Sequence, residues 1–290
     1  MLVNLQEILE PARKNGFAVG ASNTSDLALV GAVTEQAEAS NTPAILQFAP
    51  GEFKYATPDF FKYVRERVRN SPVPFAIHLD HGKSIEDCAA AIKAGFTSVM
   101  IDGSLLSYEE NRKVTKEVVD FAHRLGISVE GELGTIGTMG NSDEGGVENV
   151  VYTNPEEVTD FVEYTGCDAL AIAIGTAHGI YPKGFHPRLQ IELLKEISKI
   201  SKVPLVLHGG SDNAEEEIAQ ACASGIQKVN ISSDIKQVFF KKVYEIYRDT
   251  GNFMPPQVFN PSIEEVKKTV QEKMDLFGCT GKASLYWERL

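Results

Sequence analysis

Short apolar runs rich in β-branched residues recur along the chain, separated by amphipathic stretches. The runs are FAVGA (17–21), PAILQF (43–48), PFAIHL (74–79), SVMI (98–101), SVEGEL (128–133), ALAIAI (169–174), PLVLH (204–208) and KVNI (228–231). Parallel strands covered by helices read as near-continuous apolar runs, whereas half-exposed antiparallel strands alternate. Each run is therefore a candidate strand of a parallel sheet. Between them, Ser84–Ala94, Tyr108–Leu125, Pro155–Thr165, Leu189–Ser198 and Ala214–Ala223 carry apolar residues at helical spacing. Three of these stretches end at Gly95, Gly126 and Gly166, the residue type that best adopts a left-handed helix C-cap. A further helix is predicted from about residue 260 to 277. Eight such units, with no Pro/Gly/Ser-rich linker among them, predict an α/β fold: a single (β/α)8 TIM barrel domain over residues 1–290 with a C-terminal helical extension.

The polar residues refine this picture. Asn23, Asp80 with His81, Asp102, Glu132, His178, His208 and Asn230 all fall at or just past the C-terminal end of a predicted strand. In a barrel those ends converge on one mouth, where active sites are built. One such residue alone is as readily a strand-end cap; seven strand ends on one rim predict a site.

Composition narrows the partners. The 290 residues hold 28 Lys+Arg against 40 Asp+Glu, a formal net charge of −12, with 43% hydrophobic residues. That balance argues against nucleic acid or an anionic membrane, both of which demand a basic face. An anionic small molecule stays open if positive potential is concentrated locally. Cys88, Cys167, Cys222 and Cys279 show no CxxC spacing, which favours a reducing compartment. The start, MLVNLQEILEPARKNG, lacks the apolar stretch of a signal peptide, and no run approaches the roughly 18 apolar residues of a membrane span. A cytoplasmic protein is expected.

Three histidines sit at the ends of the third, sixth and seventh strands: His81 in IHLDHG, His178 in IGTAHGIY and His208 in LVLHGGSD. Three imidazoles from separate strands, with a fourth position left for water or substrate, form a catalytic zinc arrangement. Each is followed by glycine, Gly82, Gly179 and Gly209, which allows close backbone approach to a ligand. His123 on a helix and His186 in the loop GFHPRL read as ordinary histidines, and His78 as structural.

With these motifs in place the chain resembles the class II, metal-dependent ketose-bisphosphate aldolases, the family of fructose- and tagatose-1,6-bisphosphate aldolases. The matching stretches are HLDHG (78–82), GFTSVMIDGS (95–104), VEGELGTIG (129–137), DALAIAIGTAHGIY (168–181), PLVLHGGSD (204–212) and KVNISSD (228–234), spread over nearly the whole chain. The resemblance implies that Asp80 is the acid/base and that His81, His178 and His208 hold zinc, or another divalent metal in its place. It implies an alternative or second metal position at Asp102 and Glu132, with a monovalent cation as a further candidate cofactor. Gly179, the turn Gly209, Gly210 and Ser211, and the turn from Asn230 through Ser232 and Ser233 match residues that hold the C1 phosphate and ketone end; Asn23 is grouped with these substrate contacts. The expected activity is reversible cleavage of a ketose phosphate to dihydroxyacetone phosphate and an aldehyde, by a homodimer or homotetramer.

The chemistry agrees with the resemblance. Retro-aldol cleavage needs an electron sink at the C2 carbonyl, which a Lewis-acidic metal supplies, and a base for the C4 hydroxyl proton, which Asp80 beside a metal ligand is placed to be. Gly-rich turns after strands 7 and 8 offer backbone N–H groups to a phosphate. The chain also departs from the family pattern. Ser22 replaces a usual Phe, Leu105 a common His, and the stretch 138–146 reads TMGNSDEGG where a Gly-Gly and a nearby Glu are usual, with Glu144 as a substitute. At the far-phosphate end it holds Ala49, Pro182 with Lys183, and Lys236, so Lys183 and Lys236 are the candidate contacts there. At the position that distinguishes C4 epimers it has Ser232, which implies neither. Competing readings are a Schiff-base aldolase using Lys228, a sugar-phosphate-binding or regulatory barrel without turnover, an aldolase for a different phosphorylated ketose, and, least favoured, a metal-dependent hydrolase.

Overall fold

In the computed structural model, which describes residues 1–138, 150–179, 181 and 187–289, the eight apolar runs form eight parallel strands. They are β1 (Val19–Asn23), β2 (Ala44–Phe48), β3 (Phe75–Gly82), β4 (Ser98–Ile101), β5 (Ser128–Leu133), β6 (Ala169–Ile172), β7 (Leu205–Leu207) and β8 (Ile226–Ile231). The sheet closes on itself in the order β1-β8-β7-β6-β5-β4-β3-β2. Closure is visible at Ala21, which is in register with Asn230 on one side and Ile45 on the other. All residues of β2, β3, β4 and β5 are buried, which is why these strands lack polar alternation.

Around the ring run α1 (Leu5–Asn15), α2 (Leu27–Ala39), α3 (Pro50–Tyr55), α4 (Pro58–Arg69), α5 (Ile85–Ala94), α6 (Tyr108–Ala122), α7 (Pro155–Thr165), α8 (Ile191–Ile200), α9 (Glu215–Ser224), α10 (Ser233–Thr250) and α11 (Pro255–Leu276). Gly95, Gly126 and Gly166 do sit in the left-handed region. The predicted Tyr108–Leu125 helix tightens into a 3-10 turn over its last three residues, His123–Leu125. The last helix begins at Pro255, ahead of the predicted start, because Pro255 and Pro256 suit a first turn that needs no N–H donors.

The end of the barrel opposite the strand C-termini is plugged by α1, held by a capping box between Asn4 and Glu7. The Val3 N–H donates to Phe75 O at 2.8 Å, the Gln6 N–H to Ser128 Oγ at 3.2 Å, and Arg13 to the carbonyls of Ser201 and Lys202 at 2.7 and 2.6 Å. These contacts reach the starts of β3 and β5 and the approach to β7, so α1 covers the lower end of the ring and the strand C-termini face the opposite mouth. At the mouth, α3 is anchored by Phe53, which stacks on Phe61 at 5.0 Å and meets Phe96 edge-on at 5.6 Å. No helix among the described residues is long and apolar enough to cross a membrane.

Candidate active site

The end of β3 departs from regular strand geometry. Its register with β4 shifts between Leu79 and Gly82, and His81 has a φ of 48°. Regular alternation would send Asp80 and His81 to opposite faces; a bulge with a left-handed residue brings consecutive side chains to one side. That backbone costs on the order of 1–3 kcal/mol for a non-glycine residue and marks a functional position. Gly82 makes the bulge fit, since a Cβ there would stand 2.6 Å from Met100 O. The three glycines also meet demands of the backbone itself. Gly82 and Gly209 admit neighbouring backbone, a Cβ on Gly209 meeting Ala177 O at 2.5 Å, and Gly179 supplies a φ of 97°.

His81, His178 and His208 converge. His178 comes from a two-residue strand, Ala177–His178, paired with Gly137–Thr138 beyond the barrel proper. The three are buried, with ligand atoms all within 4.8 Å of one another, and the His81 ring lies 4.8 Å from that of His178 and 4.6 Å from that of His208. Carboxylates fix two of the rings from behind. Asp102 Oδ2 stands 2.9 Å from His81 Nδ1, and Glu130 Oε1 2.7 Å from His208 Nε2. A carboxylate accepts, so both outer nitrogens carry protons and the inner pair, His81 Nε2 and His208 Nδ1, turn lone pairs toward each other at 2.8 Å. Two facing lone pairs require a positive charge between them. Burial opposes charge on His81, yet Asp80, Asp102 and Glu132 carry the ring up to about 10, so a proton satisfies the pair when nothing else does. His208 is held well below its ordinary value by burial and by the neighbouring His81 charge. The donor set fits a divalent cation with imidazole preference; tetrahedral zinc, with bonds of about 2.0–2.1 Å, needs the inner nitrogens to open by roughly half an ångström.

Asp102 and Glu132 gather on the other ring nitrogen of His81, and these three residues form a second group with metal-ligand spacing. Glu132 Oε2 is buried 3.8 Å from His81 Nδ1 without a hydrogen-bond partner among the described residues. Burial, reinforced by Asp102, holds Glu132 well above the carboxylate range.

Asp80 is 1% exposed and held by three amides from the three strands that follow one another round the ring. Oδ2 accepts from Asn23 Nδ2 at 3.0 Å and Gln47 Nε2 at 3.3 Å; Oδ1 accepts from Asn230 Nδ2 at 3.0 Å. A carboxylate has about four lone-pair sites, two per oxygen. These contacts leave one on Oδ1, the oxygen 4.0 Å from His81 Nε2.

The glycine turns lie beside this group. The Gly210 N–H donates to Asn230 O at 3.0 Å, and Ser211 Oγ accepts from the Ser232 and Asp234 N–H groups at 3.2 and 3.4 Å. This ties the ends of β7 and β8 together around the start of α10, with Ser232 as its N-cap and Ser233 its first residue. Lys236 donates to Ser232 Oγ at 3.0 Å and forms an ion pair with Glu52. Lys183, Pro182, His186 and Glu144 lie outside the described residues. Leu105 is exposed and Ser22 buried.

Sequence reasoning missed Gln47, Glu52 and Glu130. The signal for two of them was present, a lone amide in AILQF and a second acid two residues before Glu132 in VEGEL. Glu130 also holds Lys228, Nζ to Oε2 being 3.0 Å with both side chains fully buried. Lys228 therefore sits beneath the site in an ion pair, which removes the ground for a Schiff-base reading. His78 is structural as expected: its Nδ1 lies 2.8 Å from Ser98 Oγ, and burial pushes it well below its ordinary value.

The family model for fructose-bisphosphate aldolase class-II matches residues 3–282. The chain is 40% identical over 290 residues to a fructose-bisphosphate aldolase of Geobacillus stearothermophilus, covering 98% of this chain and 99% of that one. It is 39% identical over 288 residues to a fructose-bisphosphate aldolase of Staphylococcus aureus, covering 97% and 99%. The crystal structure of the YdjI aldolase from Escherichia coli K12 superposes with a TM-score of 0.86 at 34% identity, over 98% of this chain and all of that one.

Proposed function

The chain belongs to the class II fructose-bisphosphate aldolase family, and on that premise we propose that it cleaves a ketose phosphate reversibly at the end of β3, with Asp80 as the acid/base. The observation that carries this reading is the acceptor position that the described residues leave open on Asp80 Oδ1, the oxygen 4.0 Å from His81 Nε2. The family is metal-dependent; His81, His178 and His208 are proposed to hold zinc, which when bound would supply the electron sink for the C2 carbonyl.

The remaining work falls to side chains. Asp80 Oδ1 accepts the C4 hydroxyl proton as the C3–C4 bond breaks. The bond's electrons pass to the ketone half as an enediolate, which takes a proton from water at C3 and then leaves as dihydroxyacetone phosphate, while C4 becomes the aldehyde carbon. Asn23, Gln47 and Asn230 hold the carboxylate in place, so proton transfer requires little reorganisation. Glu130 and Asp102 keep His208 and His81 in the tautomers that face inward. Gly179, Gly209–Ser211 and Asn230–Ser233 are proposed to hold the C1 phosphate beside the start of α10. Asp102 and Glu132 are the proposed alternative cation position, and a homodimer or homotetramer in the cytoplasm is the proposed setting.

The test is release of dihydroxyacetone phosphate from fructose and tagatose 1,6-bisphosphates and their 1-phosphates by zinc-loaded protein. Release that chelation abolishes and that borohydride does not trap supports the reading. Absence of release from all four overturns it.

A further inference from the structure

The segment of the rim over β1 is bridged by a pair that the reaction above does not use. Lys236, on the first turn of α10, pairs with Glu52 on α3. Since β8 and β2 flank β1, a pair joining the segment after β8 to the segment after β2 spans the C-terminal end of β1. Below it are Asn23, Gln47 and Asn230, the three amides that hold Asp80. The histidines come from β3, β7 and the stretch after β6, on the other side of Asp80.

This arrangement gives the substrate a direction, resting on the reading proposed above. With the electron sink at C2 and Asp80 at the C4 hydroxyl, the chain from C2 to C4 runs from the histidines toward Asp80. C5 and beyond then continue past Asp80 toward the sector of β2 and β1, where Glu52 stands with Lys236 paired to it.

Glu52 is a fixed group. Its Oε2 accepts from the Ala49 N–H at 2.8 Å, its side chain is only 12% exposed, and its neighbour Phe53 is locked in the aromatic cluster. The ammonium of Lys236 already faces this carboxylate and Ser232 Oγ. Among the described residues, a phosphate dianion arriving here would meet a cation whose charge is matched and a carboxylate that repels it. A hydroxylated chain meets a donor and an acceptor side by side, the pairing that vicinal hydroxyls satisfy.

We propose that the Glu52–Lys236 pair is the specificity determinant for the aldehyde half of the substrate and selects a tail that bears hydroxyl groups and no phosphate. The preferred substrate is then a ketose 1-phosphate, and the aldehyde released is an uncharged polyol aldehyde.

The test compares kcat/KM of the zinc-loaded protein for fructose and tagatose 1-phosphates with that for the 1,6-bisphosphates, in wild type and in Glu52→Gln. The wild type is expected to cleave at least one 1-phosphate as well as, or better than, its bisphosphate. Glu52→Gln, which keeps an acceptor for Ala49 and removes the charge, should raise the bisphosphate to 1-phosphate ratio by about tenfold or more. In the condensation direction it should change KM for the aldehyde and leave that for dihydroxyacetone phosphate in place, a split that a merely structural role would not produce. A wild-type preference for a bisphosphate beyond about tenfold, or a ratio unmoved in Glu52→Gln, overturns the inference while leaving the aldolase reading intact. Failure to cleave any of the four overturns both.

Discussion

Glu130 joins two demands that can be separated by substitution. Its Oε1 orients His208 at 2.7 Å and its Oε2 pairs with Lys228 at 3.0 Å, with all three side chains fully buried. Glu130→Gln offers one acceptor oxygen where two donors need one, and turns an amide N–H toward whichever donor it fails. Removing one partner of a buried ion pair costs about 3–5 kcal/mol, because the other charge stays buried and uncompensated. Unfolding entropy near 2.1 cal/mol/K per residue, over 290 residues, is roughly 0.6 kcal/mol/K, so Tm of the metal-free protein should fall by about 5–8 °C. The same substitution weakens the acceptor behind His208, a proposed metal ligand, and loss of such an acceptor typically lowers metal affinity about 10–100-fold.

Adding Lys228→Met separates the two effects. Met fills the space of the lysine stem and removes the orphaned charge, so most of the lost stability should return in the double variant, while the weakened zinc affinity should not. Thermal unfolding of the metal-free proteins reads the first quantity and competition with a chromophoric chelator the second. A Glu130→Gln protein that melts within about 1 °C of wild type would refute the buried-pair argument. Zinc affinity within about twofold of wild type would refute the orienting role.

Three further outcomes are expected. Asp80→Asn should bind zinc with near wild-type affinity and lose about 10²–10⁴-fold in kcat; a loss below tenfold in a steady-state cleavage assay would assign the proton to another group. Gly209→Ala should lower zinc affinity, because the new Cβ, 2.5 Å from Ala177 O, pushes His208 away from the strand that carries His178; unchanged affinity in the chelator assay would show that the two strands yield without moving their ligands. Glu38 accepts both Nη groups of Arg67, at 2.5 and 2.7 Å, and this hydrogen bonding, against the opposing effect of burial, holds its carboxyl below the ordinary value. A depressed carboxyl stabilises the fold above its unfolded value near 4.3 and ceases to as pH falls through the folded value. Glu38→Gln should therefore melt below wild type at pH 7 and approach it below about pH 4; an equal gap at both pH values, read by calorimetry, would contradict this.

Much of the scaffold was legible because burying a polar residue in a strand is costly. SVMI and SVEGEL coincide with β4 and β5, and the polar residues that interrupt or end the apolar runs do meet at one mouth. The end of β3 was not legible. The apolar run stops at Leu79, while the strand continues to Gly82 through a bulge, a backbone conformation that periodicity does not encode. Long-range partners were hidden for a different reason. Glu130 and Lys228 lie in the fifth and eighth strands, and only closure of the ring, with each residue's face fixed by its register, makes them neighbours. Glu52 escaped because α3 has six residues, too few for an amphipathic period, and its placement depends on where Phe53 packs.

The charge distribution explains how an acidic chain can house this chemistry. Asp80, Asp102, Glu130 and Glu132 crowd one mouth, and each is answered in a different currency. Neutral amides surround Asp80, an imidazole faces Asp102, and an imidazole and an ammonium meet Glu130. Burial, reinforced by Asp102, pushes Glu132 well above the carboxylate range instead, and its Oε2 has no donor among the described residues. The positive charge demanded between His81 Nε2 and His208 Nδ1 is therefore anchored by oriented carboxylates behind both rings, and a cation placed there would leave Asp80 available for its proposed role as base. The C1 phosphate proposed for Gly209–Ser211 and Asn230–Ser233 would instead lie beside the start of α10, where the helix end offers positive potential. Anion and cation sites can then coexist in one mouth of a protein whose net charge is −12.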